Sequence, residues 1–339
     1  MDKPKNLLIA LIAVLALALA SYFTIAYYTK AQPSEADSPI RIGITLTGDA
    51  IPAIIAVQKG FFKDEGLIPT FKEYPYGSIS FNHLLEGDVD LVMLAETPLI
   101  IQSFKRSDFV VIANISSTYQ SRKIIGLTAK GIRSIHDLEG KKIGVLKNTS
   151  AHYFLEELLL ENNIPLSDIQ FVFIQDNESP DALREGRVDA IAAFEPYPEI
   201  IQNQWPAGAL WVNDGNGRIR TAFSYVMRKD YVASNREIAK RTIRATVKAI
   251  TWMNGHEEEA ILISASVLKI DPVIMKKLYQ QYRFGVGIDE AFLLGMRQQA
   301  QWYQSRNPRI KDLKIPDYVD FVNASPLSEV LPGSVHYAH

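Results

Sequence analysis

Leu84-Leu85-Glu86-Gly87-Asp88-Val89-Asp90 and Leu183-Arg184-Glu185-Gly186-Arg187-Val188-Asp189 are one pattern written twice, 99 residues apart. In both places an apolar run follows, then a glutamate (Glu96, Glu195), then a proline (Pro98, Pro196) opening a segment that ends Ile-Ile-Gln. Upstream, Arg41-Ile42-Gly43-Ile44 is echoed by Lys142-Ile143-Gly144-Val145. The matches keep one order at offsets of 98 to 101, so the chain carries an internal repeat of the length expected for duplicated α/β units.

Each copy reads as short apolar strands alternating with helical patterns. In the first, Ile42 to Leu46, Thr70 to Glu73 and Leu91 to Leu94 are strands, with helices over Ala53 to Asp64 and Ile79 to Glu86. In the second, the strands are Ile143 to Leu146, Ile169 to Ile174 and Ala190 to Ala193, with helices over Ala151 to Asn162 and Asp181 to Gly186. This alternation predicts an α/β fold with parallel-rich sheets flanked by helices on both faces. Ligands of such sheets sit beyond the carboxyl ends of the strands, which singles out the loops Thr47 to Ile51, Glu96 to Pro98, Asn148 to His152 and Glu195 to Pro198. Ser121 to Thr128 and Ala222 to Arg228 read as two hinge strands that leave and re-enter the first lobe. The expected division is residues 1–39 as export segment and linker, 40–125 with 225–339 as lobe 1, and 126–224 as lobe 2. Beyond Lys229 the pattern turns helical: Ser234-x-x-Glu237 has the form of a capping box, and Ala239, Ile243, Val247, Ile250 and Met253 recur at helical spacing. After Pro308 the tail, with Pro316, Pro326 and Pro332, reads as irregular.

The N-terminus carries Lys3 and Lys5 before an uncharged run from Leu7 to Tyr28, then a polar stretch from Ala31 to Pro39. Two readings stand. One is a signal peptide cut after Ala18-Leu19-Ala20. The other is a retained membrane tether over residues 7–28, long enough to span, with Tyr27, Tyr28 and Lys30 at the interface. Either places the rest of the chain outside the cytoplasm, in the periplasm or on the outer face of the membrane. The 339 residues contain no cysteine, which excludes disulfides, iron–sulfur and Cys-zinc sites, a thiol nucleophile and a lipidated cysteine. A net charge of −2 gives no field for nucleic acid.

Lys59-Gly60-Phe61-Phe62-Lys63-Asp64-Glu65-Gly66-Leu67, the two Leu-x-x-Gly-x-Val-Asp strings, Asp137-Leu138-Glu139-Gly140-Lys141-Lys142-Ile143-Gly144-Val145 and Phe194-Glu195-Pro196 stand in an order that resembles one family. It is that of the type II periplasmic solute-binding proteins, in the sulfonate, taurine, nitrate and thiamine-pyrimidine-precursor branch. The resemblance runs from about Ile42 to the terminal helices. It implies a two-lobed periplasmic binding protein type II fold, a small-molecule solute held between the lobes, an ABC transporter permease as partner, a monomer, and no cofactor. The same fold hosts enzymes, among them the thiamine-pyrimidine synthase and menaquinone-pathway enzymes, and a membrane-anchored ligand sensor is a further reading. The synthases carry a cysteine-rich motif that this chain cannot supply. No H-E-x-x-H helix, G-x-S-x-G elbow, P-loop or G-x-G-x-x-G is present, and His256-Glu257-Glu258-Glu259 lacks metal-ligand spacing.

Candidate ligand residues follow from the strand-end loops. Asn148, Thr149 and Ser150 stand at a helix start, where they serve as caps or hold an acidic group, with His152 in the first turn. Thr47, Gly48 and Asp49 follow the first strand, Gly48 allowing close backbone approach. Glu96 with Thr97, and Glu195, sit at helix starts where the dipole alone would also favour them. Tyr76 and Tyr119, with Phe81, are candidates for an aromatic wall, and Ser117, with Ser116 and Thr118, for hydroxyl donors. Two glutamates and Asp49 in one cleft disfavour a bare dianion; zwitterions, aminosulfonates or an amine-bearing heterocycle fit better. Arg236, Lys240, Arg241, Arg244 and Lys248 form a basic helix face, either solvated or a dock for a permease or anionic lipid.

Overall fold

The computed structural model describes residues 37–45 and 47–337. The apolar run 7–28, the Ala18-Leu19-Ala20 site and Leu46 lie outside the described residues. Residues 39–339 form one compact unit. Among the described residues no helix is long and apolar enough to cross a membrane.

In chain order the strands are β1 (Ser38–Thr45), β2 (Leu67–Tyr74), β3 (Leu91–Ala95), β4 (Phe109–Thr118), β5 (Arg122–Leu127), β6 (Lys142–Val145), β7 (Gln170–Phe173), β8 (Ala190–Phe194), β9 (Leu210–Asn213), β10 (Thr221–Arg228), β11 (Tyr282–Asp289) and β12 (Val335–His336). They form a seven-stranded sheet ordered β12-β11-β4-β10-β3-β1-β2 and a five-stranded sheet ordered β7-β6-β8-β5-β9. The segments β4-β10-β3-β1-β2 and β9-β5-β8-β6-β7 have the same plan, so the sequence repeat is a repeat of topology. β1–β3, β7–β6 and β6–β8 are parallel, while β10 and β5 run antiparallel to both of their neighbours.

The repeated motif has a definite mechanical job. Gly87 and Gly186 end a helix with φ of +86° and +70°, a left-handed conformation that glycine adopts without a Cβ clash. Val89 and Val188 follow, fully buried. The aspartates then close the mouths of the parallel ladders. Asp90 donates its N–H to the Arg41 carbonyl at 2.7 Å, and its carboxylate accepts the Arg41 N–H at 2.9 Å. Asp189 does the same with Lys142, at 2.8 and 3.0 Å. Strand alternation then fills two faces: Ile124 and Ala192 point into one core of the smaller sheet, Ile125 and Ile191 into the other.

Several elements differ in detail from their sequence reading. The helix expected over Ala53 to Asp64 is two, Ile51–Gln58 and Phe61–Asp64, separated at the left-handed Gly60. Ser234 closes the short helix Lys229–Ser234, and the next helix, Arg236–Met253, starts after Asn235. Glu237 is therefore engaged with Lys240 and Arg244 rather than in a capping box. Ala239, Ile243, Ile250 and Met253 are buried as their spacing predicts. The basic face of that helix is paired: Arg244 and Lys248 with Glu65, Arg236 and Lys240 with Glu329. β5 lies wholly in the smaller sheet and β10 wholly in the larger; the chain crosses between the sheets at residues 119–121 and 214–220.

Removing the Asp90 carboxylate leaves the Arg41 N–H without its acceptor inside a parallel ladder. Asp90→Ala is expected to lower stability by about 2 kcal/mol, and Asp90→Asn by less, because the amide oxygen still accepts. Urea unfolding measures both; equal losses would show that charge rather than the hydrogen bond matters.

Candidate functional site

The carboxyl ends of five strands converge on one cavity between the two sheets, holding about 670 Å³ of empty space, part of it open to solvent. From the larger sheet come Thr47 and Asp49 after β1, Tyr76 and Ser78 after β2, and Ala95 and Pro98 at the end of β3. The smaller sheet brings Asn148, Thr149 and Ser150 after β6, and Phe194 and Glu195 at the end of β8. Phe223 of β10, Tyr282 of β11 and Ser121 at the crossing complete the wall. Ligand placement at strand ends thus has its counterpart here in both copies of the repeat.

Asp49 is buried, and its carboxylate accepts a short hydrogen bond from the Thr47 hydroxyl, itself 2.9 Å from that of Thr45. Loss of water pushes the Asp49 carboxyl up to about 6 against these hydroxyls. Glu195 is buried as well. One of its oxygens lies 2.7 Å from Lys123 Nζ and the other accepts the Glu199 N–H at 3.1 Å. Burial still raises its pKa despite the Lys123 charge. The Tyr282 hydroxyl is pushed well above its ordinary range by burial, reinforced by the charges of Asp49 and Glu195. Gly48 owes its identity to this tyrosine: a Cβ there would come within 2.6 Å of the Tyr282 ring. At the helix Ser150–Glu161, Thr149 Oγ1 accepts the His152 N–H at 3.4 Å and donates to the Leu146 carbonyl at 2.7 Å.

Thr47, Asp49, Tyr76, Asn148, Thr149, Ser150 and Glu195 are therefore brought together on the cavity, with Gly48 packed behind it. Five candidates lie elsewhere. Glu96 accepts the Ala222 N–H at 2.7 Å, tying β3 to the start of β10; burial raises its pKa against that bond and the Arg122 charge. The Thr97 hydroxyl donates to Gln299 at 2.7 Å inside the protein. Ser117 lines a cavity beside β11, and Tyr119 a separate one, with the Arg283 guanidinium lying over its ring. His152 turns away from the cleft and packs edge-on against Phe171, Phe173 and Trp302, with Nε2 3.3 Å from Glu156.

Glu156 is the centre of a second contact between the sheets. It accepts from Trp302 Nε1 at 2.7 Å, on the helix Glu290–Ser305, and from Arg306 Nε at 2.8 Å, the residue that caps that helix. Burial opposes its charge, yet the bonds from His152 and Trp302 hold its carboxyl below the usual range.

Sequence reading passed over Asp176, in the loop after β7. It is 1% exposed, and neither carboxylate oxygen has a hydrogen-bond partner. Burial alone pushes its pKa up to about 8. Its charge acts on Tyr76 and Tyr197, which line the outer part of the cleft together with Asn177. Phe223 and Tyr282 were also passed over. They arrive from strands far along the chain, and no local pattern marks them.

A family model described as NMT1/THI5 like matches residues 47–260. A relative from Bacillus subtilis (strain 168), named as an aliphatic sulfonates-binding protein, is 25% identical over 286 residues, covering 83% of this chain and 85% of that one. Among solved structures, the periplasmic aliphatic sulphonate binding protein of Escherichia coli superposes with a TM-score of 0.73 at 20% identity, over 84% of this chain and 97% of the other. The alkanesulfonate-binding protein of Xanthomonas axonopodis pv. citri, bound to MOPS, gives 0.74 at 18% identity, over 85% and 99%. At these identities the two structures share a fold with this chain.

Asp49 and Asp176 keep protons in the fold at pH values where the unfolded chain, with aspartate near 3.8, has lost them. Stability of the solute-free protein should therefore fall as pH rises from about 4, through about 6 for Asp49 and about 8 for Asp176, by up to about 1.4 kcal/mol per pH unit per group. Asp176→Asn should flatten the part of this decline between pH 6 and 8. Urea midpoints across that range test it; an unchanged slope would remove Asp176 as its source.

Proposed function

The chain belongs to the NMT1/THI5 like family, and from that premise we propose that it is the extracytoplasmic solute-binding component of an ABC importer. It captures a small nitrogen- or sulfur-containing organic solute, of the sulfonate, taurine, nitrate or aminopyrimidine kind, between its two sheets and delivers it to a permease. The observation that carries this is the cavity built from equivalent strand-end loops of both copies of the repeat, with Thr47, Asp49 and Tyr76 facing Asn148, Thr149, Ser150 and Glu195. A solute touching both sets bridges two bodies joined by only two crossings, so its binding energy favours their closure. We place the limits of the lobes at those crossings, residues 119–121 and 214–220, a few residues before the divisions at 125/126 and 224/225.

Binding rather than catalysis suits the cleft chemistry. Asp49 and Glu195 are each held by protein donors, Thr47 and Lys123, and no hydroxyl nucleophile on the cavity is bonded to a histidine base. The relatives' names point the same way: each describes a binding protein. The same kinship, with proteins described as periplasmic, supports a position outside the cytoplasm. The paired basic face of Arg236–Met253 is a salt-bridge network first, and it leaves few unpaired cations for docking a permease.

Mass spectrometry of the solute that co-purifies identifies the ligand, and small-angle scattering before and after its removal reads closure. The expected result is a smaller radius of gyration with solute, and at least about tenfold weaker binding in Tyr76→Ala or Thr149→Ala, the loss of one good contact at about 1.4 kcal/mol. A tightly bound solute that leaves the radius unchanged would overturn the capture mechanism.

A further inference from the structure

The charged residues lining the cleft are Asp49 and Glu195; among the described residues no lysine or arginine lines it. Of the nearby bases, Lys123 already pairs with Glu195 and the others are engaged away from the cleft. Lys123 stands 2.7 Å from Glu195 and 3.5 Å from Glu199, and Lys277 also bonds Glu199. Arg122 is fully buried, gives Nη2 to the Ile219 carbonyl at 2.9 Å, lies over the Phe154 ring and faces the Glu96 charge. Lys147, next to the Asn148 loop, lies over the Phe173 ring. Against these, Asp176 is a third carboxylate, buried behind the outer part of the cleft near Tyr76 and Tyr197, with both oxygens unpartnered.

At each of the two helix starts beside the cleft, one first-turn N–H is already taken by a side-chain oxygen. Thr149 accepts the first-turn N–H of His152, and Glu195 accepts that of Glu199. An anionic solute would compete with these oxygens and then sit among carboxylates. A cation meets a different situation: an Asp49 carboxylate held by hydroxyls with no basic group among its partners, and the rings of Tyr76, Phe194, Phe223 and Tyr282 on the cavity wall. A cation over an aromatic face is attracted by the ring quadrupole, more strongly where water is excluded.

We infer that the solute is an organic cation, a protonated amine or amidine on a flat apolar body, with its charge taken by Asp49 and Glu195 and its body held among the aromatic rings. This rests on the reading of the protein as a solute binder and narrows that reading, setting the chain apart from relatives named for sulfonates. Asp176, which ionises only around pH 8, then adds negative charge close to Tyr76 and Tyr197. The groups facing the three carboxylates are Thr45, Thr47 and Tyr282 at Asp49, Lys123, Glu199 and Tyr282 at Glu195, and Tyr76 and Tyr197 at Asp176, with Glu178 also acting on Tyr76. Asp49 and Asp176 hold protons up to about 6 and about 8 in the empty cleft. A bound cation must expel them, so its affinity rises with pH across that window.

An isosteric series decides the matter: benzylamine, benzyl alcohol and benzenesulfonate, titrated calorimetrically into the folded, solute-stripped chain at pH 8 and pH 5. Expected is benzylamine binding at least about tenfold tighter than benzyl alcohol at pH 8, benzenesulfonate weakest, and a loss of about tenfold or more for benzylamine at pH 5. Asp49→Asn, which keeps an acceptor for Thr47, should erase the preference for the amine. Benzenesulfonate binding as well as benzylamine, no benzylamine binding at millimolar concentration, or a preference that survives in both Asp49→Asn and Glu195→Gln would overturn the assignment. A sulfonate that binds and compacts the molecule would remove the cation and leave solute capture standing, whereas a bound amine without compaction would remove capture and leave the charge preference.

Discussion

Neither sheet can be completed without strand exchange across the molecule. β10 must lie between β3 and β4, and β5 between β8 and β9, yet each follows the other sheet's strands in the chain. This forces two crossings, at 119–121 and 214–220, and it fixes where the sheet ends meet. The strand ends next to the inserted strands are tied down by backbone and carboxylate bonds: Glu96 accepts Ala222 N–H, and Glu195 N–H donates to the Ser121 carbonyl at 2.8 Å. The cavity lies where it does because these two ends, equivalent in the repeat, face each other across the crossings. The larger sheet also waits on the smaller one, since β10 pairs with β3 and β4 only after some hundred intervening residues have been made and placed.

What was legible in the sequence was whatever local geometry imposes. The G-x-V-D string recurs because a left-handed helix end, a buried valine and an aspartate that bonds the neighbouring strand must follow one another within a few residues. That constraint gave the repeat, the repeat gave the strand-end loops, and the loops gave seven of the residues that line the cavity. Helix phase defeated the reading of His152. Three positions past the Thr149 cap, its side chain points to Phe171 and Trp302 while Thr149 and Ser150 line the cleft. Glu96 and Glu195 show a different limit. They are the same residue at the same repeat position, but one meets a backbone N–H of β10 and the other the ammonium of Lys123 on β5. Only tertiary pairing distinguishes them. Tyr282 lies beyond the repeat, and Phe223 and Asp176 share no residue type with their repeat counterparts on β5 and after β2.

The helix Ser150–Glu161 carries the fold's geometry into the cleft. Its first residues line the cavity, and two turns on Glu156 is held by Trp302 and Arg306. The same helix Glu290–Ser305 that, with its cap Arg306, supplies those donors also takes the Thr97 hydroxyl on Gln299, next to the end of β3. One helix thus bonds to both sides. An α-helix is stiff over two turns, so the position of Asn148 to Ser150 against Asp49 and Tyr76 is set by contacts remote from any solute. That part of the inter-sheet contact is made by side chains that do not line the cavity.

This division of labour accounts for how the cleft tolerates its own charge. Asp49 and Glu195 sit in a water-poor cavity where ionised carboxylates repel each other strongly. Left to themselves they would push the sheets apart. The Trp302, Arg306 and Glu156 contact, together with the Thr97 to Gln299 bond, holds the sheets from outside the cavity, while Lys123 offsets Glu195 and Asp49 faces hydroxyls rather than a cation. Asp49, bonded to hydroxyls and not to a cation, leaves its electrostatic complement to be supplied by what enters the cleft. The energy that a better-paired cleft would have added to folding is held instead as selectivity for what enters it.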